Sequence, residues 1–522
     1  MNAAPIPAGT PADPFPVVIV GAGPAGVTAA TLLGQYGIQV LVLDRWEGVY
    51  PQPRAVHLDD EVYRILARMG VGAAFAEMTR PTLGLQLVDR DHQVLATFRR
   101  EGDEGQHGYP RANMFDQPEL EQLLRNNLET QATITLRGNV NVTAITQDGD
   151  SPVRVDFTDR TTGAPQTVHG VYLLGCDGAN STVREAIGST MRDLNFEQRW
   201  LVIDVRSDVE LDQWDGVHQV CDPDRAATYM RIGSHRYRWE FQLLPGESAD
   251  DYREIEALAP LLAPWVQGIP RESLELVRVA EYTFRAQLAD RWRDRRVFLL
   301  GDAAHLTPPF IGQGLCAGLR DAMNLSWKLA GVIAGGLPSS VLDTYESERK
   351  PHAHAMIRLA KLIGAAMSQG GSAGNLLRGL IAPRLHLLPG LRDRILDSET
   401  PPLTRSALVA RPHALRALLR PPLAGRLCPN ARLDEGPRRF DDVATGRFMM
   451  VSSRQLAPAD EARLAARGAG VVTAAPGSAL HAWLESGHSA MAVVRPDYTV
   501  MAAGSDAASL IEAVPDLSAL PA

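Results

Sequence analysis

The chain has 522 residues, of which 45% are apolar and 22% charged, and its formal net charge is −9. This length predicts more than one domain, the composition is typical of a globular protein, and the acidic balance without a basic run argues against a nucleic-acid partner. No apolar stretch is long enough to cross a bilayer, and residues 1–14 lack a signal-peptide pattern, so we expect a cytoplasmic protein without a membrane partner. The thirteen histidines show no metal-binding spacing, and no CxxC pair occurs among the four cysteines, so we expect no metal site and no disulfide framework.

The first unit in chain order is a nucleotide-binding loop. The apolar run from Pro16 to Val20 has the pattern of a buried parallel strand. It continues into the hexapeptide Gly21, Ala22, Gly23, Pro24, Ala25 and Gly26. The first glycine permits the tight turn, the second lets a pyrophosphate approach the backbone, and the third lets the next helix pack closely. We expect that helix to begin near Pro24 and to face the phosphates with its free N–H groups.

A second apolar strand, from Ile38 to Leu43, ends at Asp44, which is followed by Arg45. A carboxylate at this point accepts the ribose hydroxyls of an adenosine and repels a 2′-phosphate, which favours FAD or NAD over NADP. A glycine-rich turn that binds nothing is the alternative. The complete order of strand, loop, helix, strand and acid argues against that alternative.

The middle of the chain changes from helical to strand-like patterns. A predicted helix from Gln117 to Leu128, strands near 132–157 and a strand from Val171 to Cys176 lead to Asp177. Residues 186–285 then show the period of two that is typical of half-buried antiparallel strands.

The run from Arg236 to Leu243 shows this period of two most clearly. One face carries Tyr237, Trp239, Phe241 and Leu243, and the other carries Arg236, Arg238, Glu240 and Gln242. We expect the aromatic face to line a pocket for an aromatic substrate, with ordinary core packing as the alternative. The charged face is expected to be a solvated sheet surface.

A second loop, far along the chain, indicates which dinucleotide binds. The strand from Val297 to Leu300 leads into Gly301 and Asp302, and ligands of open α/β sheets bind at the carboxyl ends of the strands. The loop residues Pro308, Pro309, Gly312 and Gly314 precede a long amphipathic helix. The amides of Leu315 and Cys316 at its start would face the pyrimidine edge of a flavin, where negative charge collects on reduction. Together the two loops predict FAD, with Asp302 on the ribityl chain.

The C-terminal part shows a further set of elements. Residues after about 335 are helical in pattern, and Ala382 to Arg426 is rich in Pro, Leu and Arg, which predicts a linker with short helices. Beyond about residue 430 the predicted order is β-α-β-α-β-β-α. A redox thioredoxin needs a CxxC pair, which this segment lacks.

Three signatures in order, the glycine loop, Asp177-Gly178 and Gly301-Asp302, resemble those of the class A flavoprotein aromatic hydroxylases. The similarity is greatest to 3-(3-hydroxyphenyl)propionate hydroxylase-like enzymes. Further shared motifs are Pro53-Arg54-Ala55, Asp59-Asp60-Glu61, Gln117-Pro118-Glu119-Leu120-Glu121, Arg238-Trp239-Glu240-Phe241, Leu244-Pro245-Gly246-Glu247 and Asn324-Leu325-Ser326-Trp327-Lys328-Leu329.

The resemblance implies an α/β fold with a Rossmann-like FAD-binding domain, an interleaved antiparallel substrate domain and a small thioredoxin-like C-terminal domain. The expected FAD-binding parts are 1–77, 111–185 and 286–380, and the expected substrate-domain parts are 78–110 and 186–285. A linker over 381–429 and the thioredoxin-like domain over 430–522 complete the chain.

The resemblance also implies roles for single residues. Arg54 and Gln117 would contact FAD, and Asp177 would serve both FAD and the nicotinamide cofactor. Many relatives carry Asn where this chain has Cys316, but the contact inferred there is a backbone N–H, so the change should be tolerated.

The activity implied by the resemblance is hydroxylation of a phenol. NADH or NADPH reduces non-covalently bound FAD, and dioxygen then forms a flavin C4a-hydroperoxide that the phenol ring attacks. His218, Tyr229 and Tyr237 are candidates for the base. Arg231, Arg236 and Arg238 are candidates for binding a substrate carboxylate, and Trp239 and Pro308 for contacting the ring.

Two alternatives stay open. One is another oxygenase on the same scaffold, either a polyketide-tailoring hydroxylase or a Baeyer–Villiger-type enzyme. The other is a flavin-free escort protein, which predicts degraded cofactor motifs, whereas both loops are intact. We expect a monomer or homodimer.

Overall fold

The computed structural model describes residues 9–50, 55–100, 104–222, 224–368, 400–411 and 422–521. The expected FAD contact Arg54 lies outside these residues, as does most of the predicted linker. The mixed α/β fold class expected from the sequence is confirmed. In the described part of the chain, no helix is both long and apolar enough to span a membrane.

The strands are β1 (Phe15–Val20), β2 (Val40–Leu43), β3 (His57–Asp59), β4 (Arg80–Pro81), β5 (Gly84–Val88), β6 (Val94–Arg99), β7 (Ala112–Met114), β8 (Ile134–Arg137), β9 (Val140–Thr146), β10 (Val153–Asp159), β11 (Pro165–Gly175), β12 (Met191–Ser207), β13 (Val217–Val220), β14 (Ala227–Arg231), β15 (Arg236–Gln242), β16 (Leu274–Ala289), β17 (Arg293–Asp294), β18 (Val297–Leu299), β19 (His305–Leu306), β20 (Met449–Ser452), β21 (Gly470–Thr473), β22 (Met491–Val494) and β23 (Val500–Gly504).

The helices are α1 (Pro24–Gln35), α2 (Asp60–Arg68), α3 (Gly72–Met78), α4 (Gln117–Glu129), α5 (Thr182–Ala186), α6 (Ile255–Leu262), α7 (Gly314–Ile333), α8 (Asp343–Ser368), α9 (Pro458–Ala465), α10 (Ala479–Ser486) and α11 (Ala507–Ala513).

The first sheet has a parallel centre in the order β18-β11-β1-β2-β8, with β17 added antiparallel at one edge. Its central strands are buried on both faces, as their continuous apolar runs predict. Gly21, Asp44 and Gly301 follow the carboxyl ends of β1, β2 and β18, and Asp177 follows β11. Because these strands are parallel, the four positions lie along one edge of the sheet.

The second sheet has the order β19-β16-β12-β15-β14-β13-β5-β6. This sheet therefore joins two groups of strands, one from residues 84–99 and one from residues 191–306. In sequence, the segment β8–β11 of the first sheet lies between the two groups. Strands β12 and β16 are long and pair antiparallel along most of their length. A small third sheet, β3-β7-β4, lies where the chain passes between the two large ones.

The C-terminal sheet has the order β21-β20-β22-β23, in which β20 and β21 are parallel and β22 is antiparallel to both of its neighbours. With α9, α10 and α11 it follows the β-α-β-α-β-β-α order expected from the sequence. The structural relationship of this C-terminal unit to thioredoxin stays a prediction.

A buried charged network attaches the C-terminal unit to the rest of the molecule. Arg495, between β22 and β23, lies 2.9 Å from Glu348 Oε1 of α8 and also pairs with Asp497. Lys328 Nζ of α7 lies 2.8 Å from Glu348 Oε2, and Asn324 donates to the same oxygen. Glu348 of α8 is therefore the common partner of α7 and of the C-terminal unit.

Replacing Glu348 with Gln should destabilise the protein by about 3–5 kcal/mol, because it leaves buried Arg495 and Lys328 without a full countercharge. Burial raises the pKa of Glu348, but Arg495 and Lys328 outweigh that effect and hold it well below its ordinary value. This contribution is thus present above pH 4.5, the ordinary value, and is lost as the pH falls towards the folded value.

Urea unfolding from pH 7 to pH 3 measures this contribution. The variant should show a flatter loss of stability with acid than the parent. Glu197→Gln, which breaks an exposed pair with Arg285, is the control and should change stability by at most about 1 kcal/mol. Equal effects of the two substitutions would contradict the assignment.

Candidate functional site

The glycine loop is closely packed at two positions and open at the third. Gly21 has φ +103°, and a Cβ there would lie 2.3 Å from the Cys176 carbonyl oxygen. A Cβ on Gly26 would lie 1.9 Å from the Gly21 carbonyl oxygen, so neither position can hold a side chain. At Gly23 a Cβ would meet no atom within 4 Å, and no side chain caps the helix that Gly23 precedes. The open position and uncapped N–H groups form a cradle suited to a pyrophosphate.

The acid at the end of β2 is fixed by backbone donors. Asp44 Oδ2 accepts from the Ala22 N–H at 2.5 Å, and Oδ1 accepts from the Trp46 N–H at 2.7 Å. Arg125 Nη2 lies 3.7 Å from Oδ1. The carboxylate therefore connects β2 to the glycine loop, while the neighbouring Arg45 is exposed.

The second loop depends on a residue that sequence reasoning missed. Asp321 of α7 is fully buried, and its Oδ2 accepts from the Gly301 N–H at 3.1 Å. His305 Nε2 lies 2.8 Å from Oδ2, and Arg349 Nε donates to Oδ1 at 2.9 Å. Burial raises the pKa of Asp321, but His305 and Arg349 together lower it below its ordinary value. Asp321 lies off the apolar stripe that predicts α7, where a charged residue is expected to face solvent, so the local pattern gave no signal for it.

A cavity of about 670 Å³ joins both loops to the second sheet. The predicted cofactor residues that line it are Gly23, Pro24, Ala25, Gln117, Gly301, Asp302, Pro309, Gly312, Gly314 and Leu315. The cavity lining does not include seven other predicted residues, namely Gly21, Gly26, Asp44, Arg45, Asp177, Pro308 and Cys316. Ten of the predicted cofactor residues therefore line one cavity, and their contact with FAD stays a prediction.

Three of the expected contacts have structural partners within the protein. Asp177 accepts from Ser181 Oγ at 2.5 Å and from the Val183 N–H at 3.1 Å. Gln117 Oε1 accepts from the Ala55 N–H at 2.6 Å, which fixes the chain where it enters the cavity. Cys316 is buried, with Sγ 3.4 Å from the Gly312 carbonyl oxygen. Burial raises the pKa of this thiol, which makes it a packing group at neutral pH.

The expected orientation of the second sheet is wrong. Arg238 and Glu240, from the face expected to be solvated, line the cavity. Tyr237, Trp239 and Phe241 instead pack with Trp265 in a separate hydrophobic cluster. Alternation shows which residues share a face, but not which face meets the cavity. Trp239, predicted to bind substrate, is a core residue.

The three predicted base candidates lie with this cluster and do not line the cavity. Trp265 Nε1 donates to His218 Nδ1 at 3.3 Å, and the ring centroids of His218 and Tyr229 are 5.1 Å apart. Burial lowers the pKa of His218 to about 4 and raises that of Tyr229. Tyr237 is buried beside them. None of the three can reach a substrate in the cavity.

The predicted carboxylate-binding arginines have different environments. Arg231 pairs with Glu210, and Arg236 pairs with Asp116, and neither lines the cavity. Arg238 does line it. Its guanidinium bonds both oxygens of buried Asp204, at 2.7 and 3.1 Å.

Several cavity residues were missed by the sequence analysis. These are His57, Arg100, Met114, Gln219, Thr228 and Tyr282. They come from five different strands and the end of β6, so no local motif unites them. In the described part of the chain, no cluster of three or more His, Cys, Asp or Glu side chains could hold a metal ion.

The FAD binding domain family model matches residues 14–360. The chain is 36% identical over 373 residues to a probable NADH-specific resorcinol 4-hydroxylase of Rhodococcus jostii, covering 72% of this chain and 69% of that protein. It is 33% identical over 521 residues to a 3-(3-hydroxy-phenyl)propionate/3-hydroxycinnamic acid hydroxylase of Burkholderia cenocepacia, covering 95% and 94%.

Solved structures show the same fold over nearly the whole chain. The flavin-dependent monooxygenase PieE, in complex with FAD and substrate, has a TM-score of 0.76 at 23% identity and covers 96% of this chain and 98% of its own. The OxyS anhydrotetracycline hydroxylase of Streptomyces rimosus has a TM-score of 0.74 at 26% identity, covering 94% and 95%.

Substituting Ala for Gly23 should weaken FAD binding without destabilising the protein free of cofactor. The backbone at this position is extended, with φ −73° and ψ 179°, which alanine adopts, and the added methyl group would occupy only the cradle. FAD titration of the apoprotein and thermal unfolding measure the two effects. Gly504→Ala, also with open space around Cβ, should leave both unchanged. FAD affinity equal to the parent in Gly23→Ala would exclude this cradle as the phosphate site.

Proposed function

This chain belongs to the FAD binding domain family as an FAD-dependent aromatic hydroxylase, and on that premise we propose that it hydroxylates a single-ring phenol bearing a short carboxylate chain. The observation that carries the substrate class is Arg238 on the cavity wall. The proposed co-substrates are NADH or NADPH and dioxygen.

The residues of the first sheet fit FAD. The open Gly23 cradle suits the pyrophosphate, and Asp302 in the cavity wall suits the ribityl chain. Asp44 does not line the cavity and is proposed for the adenosine ribose on its position after β2 alone. No side chain caps α7, so its first N–H groups can meet the pyrimidine edge. Bound FAD supplies the electron transfer and oxygen activation that no protein side chain provides. The sequence of oxygen intermediates stays a prediction.

The substrate side of the cavity is polar on the sheet and apolar towards the loops. Arg238 is held by Asp204, and Arg278 Nη2 lies 3.1 Å from the same carboxylate. Two guanidinium groups thus share one buried acid, which leaves positive charge available for a substrate anion. Burial raises the pKa of nearby Glu240, while Arg238 and Arg278 act in the opposite direction. Arg238 is therefore oriented before the substrate arrives.

Orienting the hydroxyl group of a phenol in the cavity needs a polar side chain in the cavity lining, and Tyr282 and His57 are two such residues. Tyr282 accepts from Arg278 Nη1 at 2.9 Å, so its own hydroxyl proton is available to a ligand. Burial, together with the charge of Arg100, lowers the pKa of His57 to about 4. His57 is then neutral at pH 7 and can accept a hydrogen bond. These residues replace the three predicted base candidates as the groups to test.

A polyketide-tailoring hydroxylase is the second candidate. It is favoured by the likeness to OxyS, which extends over almost the whole chain. Against it stands the 33% identity over nearly full length to a hydroxylase named for a phenylpropionate. A Baeyer–Villiger activity has no structural feature in its favour here.

Other features of the chain follow as proposals. FAD is held without a covalent bond, and NADH is the favoured reductant because one relative is named NADH-specific. We place the protein in the cytoplasm as a monomer or homodimer. The three-part FAD-binding domain, the two-part substrate domain and the thioredoxin-like character of residues 430–522 are proposed on the sheet connectivity.

Substrate class is tested by comparing 3-(3-hydroxyphenyl)propionate with its methyl ester and with a tricyclic quinone. The acid should couple NAD(P)H oxidation to product most efficiently. Arg238→Lys should raise KM for the acid by about tenfold or more, since a bond to a charged group contributes about 1.5–3 kcal/mol, with a smaller effect on the ester.

Arg231→Lys is the matched control, because Arg231 lies outside the cavity. It should leave both KM values unchanged. An ester that reacts as well as the acid would refute the carboxylate assignment, and coupling with the tricycle alone would favour polyketide tailoring.

The C-terminal unit should carry no electrons. Cys428 is fully buried and burial raises the pKa of its thiol, so it is a packing residue. Cys428→Ala should retain full turnover per folded molecule, measured with the phenolic acid and corrected for FAD content. Loss of turnover with an unchanged circular dichroism spectrum would show a redox or catalytic part for this thiol.

A further inference from the structure

The side chain of Gln313, immediately before α7, is held at both ends. Its Nε2 donates to Asp59 Oδ2 at 2.8 Å, and its Oε1 accepts from Arg320 Nη1 at 2.7 Å. A carboxylate only accepts and a guanidinium only donates, so the amide has a single allowed orientation. Gln313 is buried and lines the cavity next to the loop glycines.

The two groups that hold Gln313 form a buried ion pair. Arg320 Nη2 lies 2.5 Å from Asp59 Oδ2, and its Nε lies 2.7 Å from Glu61 Oε2. Asp59 also caps α2 by accepting from the Val62 N–H at 2.9 Å. Burial raises the pKa of Asp59, but Arg320 and Gln313 lower it below its ordinary value, so the pair stays ionised.

Strand β3 meets the loop at a second point. Gly312 has φ +62°, and a Cβ there would lie 2.7 Å from His57 Nδ1. His57 and Asp59 therefore contact consecutive loop residues from the same short strand. Strand β3 thereby supports the end of the loop that precedes α7.

We propose that Arg320 and Asp59 are positioning residues, which act through Gln313 to hold the loop before α7 in the conformation that meets the flavin. The inference rests on the proposed placement of the flavin at this loop. Stabilisation of a reduced flavin by backbone N–H groups requires donors that are already oriented. The side-chain amide of Gln313, fixed between the carboxylate of Asp59 and the guanidinium of Arg320, provides that orientation.

A double-mutant cycle tests the proposal without any phenol. Gln313→Met removes both hydrogen bonds of the amide and leaves the Asp59–Arg320 pair. Arg320→Lys keeps the positive charge but loses the planar set of N–H donors that bonds Gln313 and Asp59 together. Each should raise the FAD dissociation constant about tenfold, shift the visible spectrum of bound flavin and change its reduction potential. Because Arg320 acts through Gln313, the double variant should resemble Gln313→Met and show no further loss.

Arg64→Lys is the control, since Arg64 is a buried arginine paired with Asp441 and lies outside the cavity. It should lower stability and leave the flavin spectrum and potential unchanged. If Arg320→Lys does not fold, Asp59→Asn takes its place in the cycle and retains an oxygen for the α2 cap. Additive effects in the cycle, or an equal spectral shift in Arg64→Lys, would overturn the proposal.

An unaltered spectrum in Gln313→Met would also overturn it. These measurements concern only oxidised and reduced flavin. A failure to find phenol hydroxylation would therefore leave their outcome unaffected, and the two proposals can fail separately.

Discussion

The parallel register of the first sheet is the constraint on which the cofactor site depends. Strands β1, β2, β11 and β18 are distant in sequence, but their shared direction places their carboxyl ends along one edge. Gly21, Asp44, Asp177 and Gly301 follow those ends. An antiparallel strand among the four would put its loop at the opposite edge, so the direction of the strands, more than any single contact, assembles the site.

The parts of the site that sequence could predict are those whose chemistry is local. A glycine loop between a buried strand and a helix has a recognisable pattern because Gly21 and Gly26 cannot carry side chains in this geometry. Orientation of the second sheet was not predictable in this way. The period of two placed Arg238 and Tyr237 on different faces, but the cavity lies on the side not covered by Trp265, and that arrangement depends on tertiary packing.

Long-range ion pairs were missed for a related reason. Two buried ion pairs join residues that are far apart in the chain, namely Asp59 with Arg320 and Glu348 with Arg495. The sequence around one member of a pair does not indicate the other. A buried charge is costly to leave unpaired. The charged residues of α7 lie off the apolar stripe that predicts this helix, so the pattern expects them in solvent, but residues 316–331 are all buried.

These buried charges make α7 the element that connects the site with the rest of the molecule. Arg320 and Asp321, in its first half, hold Gln313 and Gly301 of the two cavity loops. Lys328, in its second half, meets Glu348, which also binds Arg495 of the C-terminal unit. Replacing such pairs with apolar residues often costs little stability, whereas removing one partner alone leaves an uncompensated buried charge. A helix anchored at both ends to different units cannot shift along its axis without breaking a buried pair. The C-terminal unit, though it has no cavity-lining residue among those described, therefore restricts the position of the loop that we propose meets the flavin.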